Sequence, residues 1–250
     1  MFKSFLLSLI ILSSPMFAFA QAKSDHALVE KAKNAVALLY SQDESGGMRM
    51  RCTATVFEKT KTIYKLVSAA HCIGDDNTTK ERSADPTNTP FYISFDNSTP
   101  KEFYKAKAVF VGYQHKGDDF AVFEVESKED WPVLLIGTEK SVTEGSALLN
   151  VASPQGLGKQ VFRGSISSMD LDRPIIEGDI NWQHALLLQI QSGPGSSGSA
   201  LISIEDGTII GFLVGVVGGN NVVGIPVSKF TTALSKFGED KYPYFKKSVE

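Results

Sequence analysis

The chain has 250 residues, of which 42 % are hydrophobic and 21 % are charged, a composition that allows a buried core and excludes a mainly disordered protein. Its 25 Lys and Arg residues are balanced by 28 Asp and Glu residues. Because the positive charges are spread along the chain rather than clustered, we do not expect the protein to bind nucleic acid.

The first twenty residues have the pattern of a secretory signal. Lys3 precedes a largely apolar run over residues 5–17, and Ala18-Phe19-Ala20 is a site of the kind that a signal peptidase cleaves. A membrane anchor is the alternative, but Ser13-Ser14-Pro15 interrupts the run, which is short for a membrane span. We therefore expect cleavage after Ala20, no stable membrane insertion afterwards, and a secreted or periplasmic protein.

Residues 21–130 predict one helix followed by strands. Ser24 and Asp25 precede a segment with helix-compatible spacing, so a short N-terminal helix is expected over residues 26–33. Residues 74–90 form the longest polar stretch and have the composition of a solvated surface loop. Six runs rich in apolar, β-branched or aromatic residues are predicted as strands, at 35–40, 51–57, 63–67, 91–95, 106–111 and 121–125.

Residues 131–250 also contain six runs that are predicted as strands, followed by a helix. Ser228 and Gly238 mark the ends of a C-terminal helix over residues 229–237. Short strands without helices between them favour antiparallel barrels over a parallel sheet. We therefore predict an all-β fold of two packed six-stranded antiparallel β-barrels, in residues 21–130 and 131–250, with a short helix at each end. The six strands of the second half are predicted at 147–151, 161–167, 186–190, 200–203, 209–217 and 222–226.

Cys52 and Cys72 are the only cysteines. Outside the cytoplasm each is the other's only partner, and a bridge that closes a loop of about 20 residues would stabilise the fold by about 3 kcal/mol. Two free thiols are the alternative. The two cysteines and four histidines lack the spacing of metal ligands, so we expect no metal, and no pattern in the chain requires a cofactor.

Three segments carry the groups that acyl transfer at a serine requires: a base, an acid that orients it, and backbone donors for the oxyanion. An apolar strand ends at His71, Asp119 precedes another strand, and the small-residue turn 193–200 surrounds Ser197. Since no histidine follows Ser197, the serine-acid-histidine order of α/β-hydrolases is excluded. Spacing leaves open Asp118 as the acid and Ser196 or Ser199 as the serine; His26, His115 and His184 are predicted to be surface or structural.

These segments resemble those of the chymotrypsin-like serine proteases, from about residue 46 to residue 230. Ala69-Ala70-His71-Cys72 matches the histidine motif, Asp119-Phe120-Ala121-Val122 the acid motif and Gly195-Ser196-Ser197-Gly198 the nucleophile motif. The resemblance implies that Ser197 is the nucleophile, His71 the general base and then acid, and Asp119 the orienting carboxylate. It also implies an oxyanion hole formed by the backbone N–H groups of Gly195 and Ser197, and a Cys52–Cys72 disulfide beside the histidine.

Two further features place the chain within that superfamily. Residues 149–157 and Gly224-Ile225-Pro226 are similar to the bacterial high-temperature-requirement (HtrA-like) proteases, and Ser199 is also seen in glutamyl-specific bacterial relatives. The roughly twenty residues after Ser228 are too few for the PDZ domain that HtrA-like proteases carry.

The resemblance also indicates the first specificity pocket. Gln191, six residues before the nucleophile, stands where trypsin-like enzymes carry an acid that binds Lys or Arg, and no histidine follows Ser197 to bind Glu. The strand expected to wall the pocket, Phe212-Leu213-Val214-Gly215, is apolar. We therefore expect a preference for small or medium apolar residues before the cleaved bond.

The leading hypothesis is a serine endopeptidase that hydrolyses protein or peptide substrates through an acyl-enzyme intermediate. The alternative is a catalytically silent member of the same fold that binds proteins through the former cleft. All three chemical groups are retained, which a silent scaffold does not need, so the sequence favours the enzyme. It does not specify the oligomeric state.

Overall fold

The computed structural model describes eight stretches of the chain. These are residues 15–43, 45–73, 90–97, 99–112, 117–171, 174–177, 180–218 and 221–236. The predicted loop 74–90 lies outside the described residues except for Pro90, as do His115, residues 1–14 of the predicted signal, and Gly238 at the predicted end of the C-terminal helix.

Six strands from the first half of the chain form a closed antiparallel barrel. They are β1 (Val36–Gln42), β2 (Met48–Thr60), β3 (Ile63–Ser68), β4 (Phe91–Ser94), β5 (Tyr104–Val111) and β6 (Ala121–Glu126), in the order β1-β2-β3-β6-β5-β4. Burial alternates along β5, where Ala106, Ala108 and Phe110 are buried and Lys105 and Lys107 are exposed. This is the period of two expected where one face of a strand meets a core.

Six strands from the second half form a second closed barrel. They are β7 (Ala147–Ala152), β8 (Gln160–Ser168), β11 (Leu186–Gln189), β12 (Ala200–Ser203), β13 (Ile209–Val217) and β14 (Asn221–Pro226), in the order β11-β14-β13-β12-β7-β8. The predicted fold of two six-stranded antiparallel barrels with a helix at each end is confirmed.

One hairpin was not predicted. β9 (Ile175–Glu177) and β10 (Ile180–Trp182) pair antiparallel outside both barrels, with Trp182 opposite Ile175. The sequence carries a signal for it, because a Gly-Asp pair separates two short apolar runs.

The two helices differ from their predicted bounds. α1 spans Pro15–Ala35 rather than residues 26–33, and no glycine or proline interrupts residues 16–35. α2 spans Val227–Ser235 and begins after Pro226 rather than after Ser228. Neither described helix has the length and apolar character needed to cross a membrane.

A phenylalanine of α2 joins the two barrels. The Phe230 ring is fully buried and makes edge contacts with Phe57 and Phe120 of the first barrel, at 5.3 and 5.2 Å between ring centroids. It also contacts Phe212 of the second barrel at 5.0 Å. Such contacts add to the free energy of burial, so this cluster holds the barrels in a defined relation, and the candidate site lies where they meet.

Candidate active site

His71 lies in a single 3₁₀ turn, Ala70–Cys72, that follows β3. Ala70 and Cys72 on either side of it are buried, whereas the histidine side chain is 18 % exposed. The predicted disulfide is present, and it joins Cys72 to Cys52 of β2. The turn that carries His71 is therefore attached covalently to the neighbouring strand.

Asp119 lies two residues before the start of β6 and is completely buried. Its Oδ2 atom accepts a hydrogen bond from His71 Nδ1 at 2.8 Å, and its Oδ1 atom accepts one from the His71 backbone N–H at 3.0 Å. Since a carboxylate only accepts, the proton of a neutral His71 ring lies on Nδ1, and the lone pair lies on Nε2. That is the tautomer in which Nε2 can take a proton.

The charge of Asp119 depends on opposing effects. Burial raises the pKa of its carboxyl group, but the nearby His71 charge and the two hydrogen bonds from His71 outweigh that effect. The Trp182 indole also lowers the pKa, and the net result is a pKa below the usual range. Asp119 is therefore ionised at neutral pH. The adjacent Asp118 lies instead near the ammonium group of Lys229, so the two acids have different partners.

Two glycines shape the turn around Ser197, and one of them packs against the end of β3. Gly195 and Gly198 have φ angles of +96° and +84°, which disfavour any side chain. A Cβ atom on Gly198 would lie 2.5 Å from the backbone nitrogen of Ala69, two residues before His71. The serine turn therefore packs directly against the segment that carries the histidine.

The three candidate serines occupy different environments. Ser196 and Ser199 are fully buried, whereas Ser197 is partly exposed. Ser199 accepts a hydrogen bond from Asn150 at 2.8 Å, which gives it a structural partner. The Ser197 hydroxyl donates to the backbone carbonyl of Val214 at 3.4 Å, and a rotation about its Cβ–Oγ bond turns the proton toward another acceptor.

The short turn Pro154–Gly156, which follows β7, orients the peptide bond between Pro194 and Gly195. The backbone N–H of Gln155 donates to the Pro194 carbonyl at 2.6 Å. Because this peptide bond is trans, the Gly195 N–H points the opposite way from that carbonyl. Residues 149–157 stand out in the sequence only for their family resemblance, so this contact was not predicted. Gln155 makes it with a positive φ of 56°.

The residues of the predicted pocket lie in different places. Gln191 is exposed, Phe212 packs on Phe230, and Leu213 lies in the core of the second barrel. Val214 offers its carbonyl to Ser197, and a Cβ atom on Gly215 would lie 2.5 Å from Cη2 of Trp182. The assignment of Gln191 and residues 212–215 to the specificity pocket therefore remains a prediction.

An unpaired strand edge begins beside Ser197. β12 pairs with β13 only as far as Phe212, while β13 continues to Val217 along β14. The Gly198 N–H donates to the Leu213 carbonyl at 2.7 Å, which ties this edge to the serine turn. Within the described residues, residues 214–217 thus present backbone groups on the side away from β14.

One group of potential metal ligands occurs among the described residues. It comprises Cys52, His71 and Cys72, whose ligand atoms lie within 4.8 Å of one another. Both sulfur atoms are in the disulfide and are not thiolates, which are the form that binds metals. The chemistry available in this region is therefore that of the imidazole, the carboxylate and the hydroxyl.

Much of the chain matches a known protein family. The family model for the trypsin-like peptidase domain matches residues 52–212, which contain His71, Asp119 and Ser197. No curated protein sequence matches the chain.

Several solved structures share the fold. A serine-to-alanine form of the HtrA-type protease AlgW with a decapeptide has a TM-score of 0.65 at 15 % identity, covering 87 % of this chain and 68 % of that chain. Deg5 has a TM-score of 0.64 at 16 % identity, covering 86 % and 94 %. An inactive serine-to-alanine form of Rv3671c from M. tuberculosis has a TM-score of 0.61 at 16 % identity, covering 86 % and 93 %. At these identities the likeness shows the fold alone.

Proposed function

Because the chain belongs to the trypsin-like peptidase domain family, we propose that it is a serine endopeptidase in which Ser197, His71 and Asp119 form the catalytic triad. The single observation that carries the proposal is the pair formed by His71 Nδ1 and the buried Asp119 Oδ2 at 2.8 Å. A buried carboxylate at this atom orients the ring and stabilises the imidazolium that forms during acyl transfer.

The reaction begins at Ser197. Its hydroxyl turns from the Val214 carbonyl, transfers its proton to His71 Nε2, and forms a bond from Oγ to the substrate carbonyl carbon. The backbone N–H groups of Gly195 and Ser197 stabilise the oxyanion. His71 then gives the proton to the leaving amine as the C–N bond breaks, and an acyl-enzyme remains.

Water completes the cycle. His71 Nε2 takes a proton from a water molecule, whose oxygen attacks the acyl carbon, and the ring returns that proton to Ser197 Oγ as the ester bond breaks. The positive charge that the ring carries in each half-reaction is stabilised by the ionised Asp119.

Extended peptides fit the unpaired edge of β13. Residues 214–217 offer backbone N–H and C=O groups beside Ser197, and a substrate strand can pair with such an edge. Gln191 brings no charge to this region. These features support protein or peptide substrates with a small or medium apolar residue before the cleaved bond.

We also propose that the mature protein acts outside the cytoplasm, secreted or periplasmic, after removal of residues 1–20. The Cys52–Cys72 disulfide supports this location, because disulfides persist in oxidising compartments.

A fluorophosphonate probe tests the proposed activity, since it reacts with activated serines. We expect wild type to be labelled, Ser197→Ala to be unlabelled, and Ser192→Ala, the same change five residues earlier in the loop, to be labelled like wild type. A fluorogenic peptide panel should give the fastest hydrolysis with Ala or Val before the cleaved bond. A folded wild type without labelling would support the silent binding protein instead, and best turnover with Lys, Arg or Glu would reject the apolar preference.

A further inference from the structure

Trp182 is buried where the two barrels meet. Only 2 % of the residue is exposed, and it ends β10 in the hairpin outside both barrels. A Cβ atom on Gly117, two residues before Asp119, would lie 2.9 Å from the carbonyl oxygen of Asn181 and 3.4 Å from the nitrogen of Gln183. The backbone on either side of Trp182 therefore packs on the loop that carries Asp119.

The other side of Trp182 faces the second barrel. A Cβ atom on Gly215 would lie 2.5 Å from Cη2 and 3.0 Å from Cζ2 of the indole, so the ring occupies the space that a side chain at that position would need. Lys229 of α2 donates to the carbonyl of Gln183, which fixes the residue that follows. The indole is thus held from three directions between the acid loop and β13.

The indole nitrogen of Trp182 requires a partner. Nε1 is buried and, among the described residues, has no acceptor that meets hydrogen-bond geometry. A buried donor left without an acceptor is costly. The Asp119 carboxylate is also buried and has about four acceptor positions, of which the two bonds from His71 use two. The indole lies near enough to lower the pKa of this carboxyl group, so donor and acceptor are adjacent.

We propose that Trp182 is a positioning residue of the active site, whose indole N–H donates to the Asp119 carboxylate and fixes its orientation toward His71. This proposal rests on the proposed function, because orientation of Asp119 matters for a His71 that acts as base. Gly215, which lies against the indole, has no side chain that could supply this donor instead. The hairpin β9–β10 thereby contributes a third donor to a carboxylate of the first barrel.

Replacement by phenylalanine isolates the N–H group. Trp182→Phe keeps an aromatic ring against Gly215 and removes the donor. We expect kcat to fall about 10- to 100-fold, the range for loss of a hydrogen bond to a charged group, with little change in KM. Without the indole dipole the negative charge of Asp119 is less compensated, so the titration midpoint of His71 should move to higher pH in a histidine NMR titration.

Trp131→Phe is the matched control. Trp131, the other tryptophan of the chain, stacks on Phe95 at 4.0 Å between ring centroids and contacts Tyr64 and Tyr104. Trp131→Phe removes the same atoms as Trp182→Phe, but at a position that does not contact Asp119. The charged neighbours Asp118 and Lys229 are the same in both variants. A shift of the His71 midpoint in Trp182→Phe but not in Trp131→Phe supports the proposal, and equal midpoints in both overturn it.

A measurement on the native ring covers the case in which Trp182→Phe does not fold. The spectrum contains two indole N–H resonances. The one that is lost in Trp131→Phe belongs to Trp131, and the one that remains belongs to Trp182. In Asp119→Asn the Trp182 resonance should shift, whereas an unchanged resonance would overturn the contact. Both NMR measurements are independent of peptide hydrolysis, so the contact is confirmed or rejected even if no protease activity is found.

Discussion

Thr53 and Gly195 lie 142 residues apart in the sequence, yet the Thr53 hydroxyl donates to the Gly195 carbonyl at 2.8 Å. The same hydroxyl accepts a hydrogen bond from the backbone N–H of Ser153 at 3.1 Å, and the Thr53 backbone N–H donates to the Ser197 carbonyl at 3.0 Å. One buried residue of β2 thus contacts both the serine turn, which carries the two candidate oxyanion donors, and the neighbouring loop at Ser153.

Thr53→Val should test this connection, because valine has the same shape and lacks the hydroxyl. The Ser153 N–H and the Gly195 carbonyl lose a buried partner, which should lower the free energy of unfolding by about 1–3 kcal/mol. Misplacement of the Gly195 N–H should lower peptide hydrolysis by at least about tenfold. Urea denaturation and kinetic assays measure the two effects. Thr60→Val, at the exposed end of β2, is the control, and equal behaviour of the two variants would contradict the role of Thr53.

Asp119→Asn should lower kcat by about 10³- to 10⁴-fold. An asparagine can donate to Nδ1 and so favours the tautomer with its proton on Nε2, which cannot accept the proton of Ser197. Asp118→Asn removes the adjacent acid, which lies near Lys229 rather than against the His71 ring, and should retain most of the activity. The order of the two variants in a single-turnover assay decides between them, and a larger loss in Asp118→Asn would reassign the acid.

Gly195→Ala should lower activity by about 10²- to 10³-fold, the usual cost of one oxyanion donor. An alanine there must adopt a φ of +96° with its Cβ 2.7 Å from the Ser153 carbonyl oxygen, so the N–H of residue 195 has to move. Gly193→Ala is a close control, because its Cβ would meet only a side-chain atom of Pro154 at 3.5 Å. If the two alanine variants have the same kcat, the oxyanion hole lies elsewhere.

Reduction of the Cys52–Cys72 disulfide should destabilise the protein. The bridge spans 20 residues, and its loss should lower the free energy of unfolding by about 3 kcal/mol, or Tm by roughly 6–12 °C. Activity should fall as well, since the bridge holds the turn of His71. Melting curves with and without reductant measure the effect. The double variant Cys52→Ala, Cys72→Ala should not respond to reductant, and a wild type that melts identically in both conditions would contradict the expectation.

Stability above pH 8 should depend on Lys159. Burial lowers the pKa of this lysine to about 8, despite the opposing charge of Asp96. Its Nζ donates to the carbonyls of Phe95 at 2.6 Å and Lys33 at 3.0 Å, and a neutral amine has the two N–H groups that these acceptors need. Between about pH 8 and pH 10.4 the unfolded chain keeps the proton that the folded protein has lost, so the free energy of unfolding should rise with pH.

The size of that rise is at most about 3 kcal/mol. Denaturant titrations at pH 7.5 and 9.5 should show it as a difference between wild type and Lys159→Met, in which the rise is lost. Lys140→Met, on an exposed turn, should show the same rise as wild type. It controls for the removal of a lysine that is not buried. The same pH dependence in all three proteins would contradict the role of Lys159.

Local patterns predicted the strands better than the contacts between them. The apolar runs are short and bounded by polar or glycine-bearing turns, so all twelve barrel strands were predicted within a few residues of their bounds. The β9–β10 hairpin was missed because its strands have only three residues each. The start of α1 was predicted too late because Ser24 and Asp25 were interpreted as its N-terminal cap, whereas both lie inside the helix.

The site shows the same division. Motif order pointed to His71, Asp119 and Ser197, because each stands beside recognisable neighbours. Thr53 and Trp182 had no such marker, since a threonine in a strand and a tryptophan in a polar segment are common in any fold. Their partners lie in the other half of the chain, and only the packing of the two barrels brings them within contact.

The position of Phe230 has a consequence for biosynthesis. Its ring contacts phenylalanines of both barrels, and it lies after every strand of either barrel in the chain. A nascent polypeptide that has emerged only as far as β14 has all three candidate catalytic side chains. It lacks the Phe230 ring, which packs between the two barrels. The packing that fixes one barrel against the other would therefore form only after residue 230 has left the ribosome, later than the folding of either set of strands.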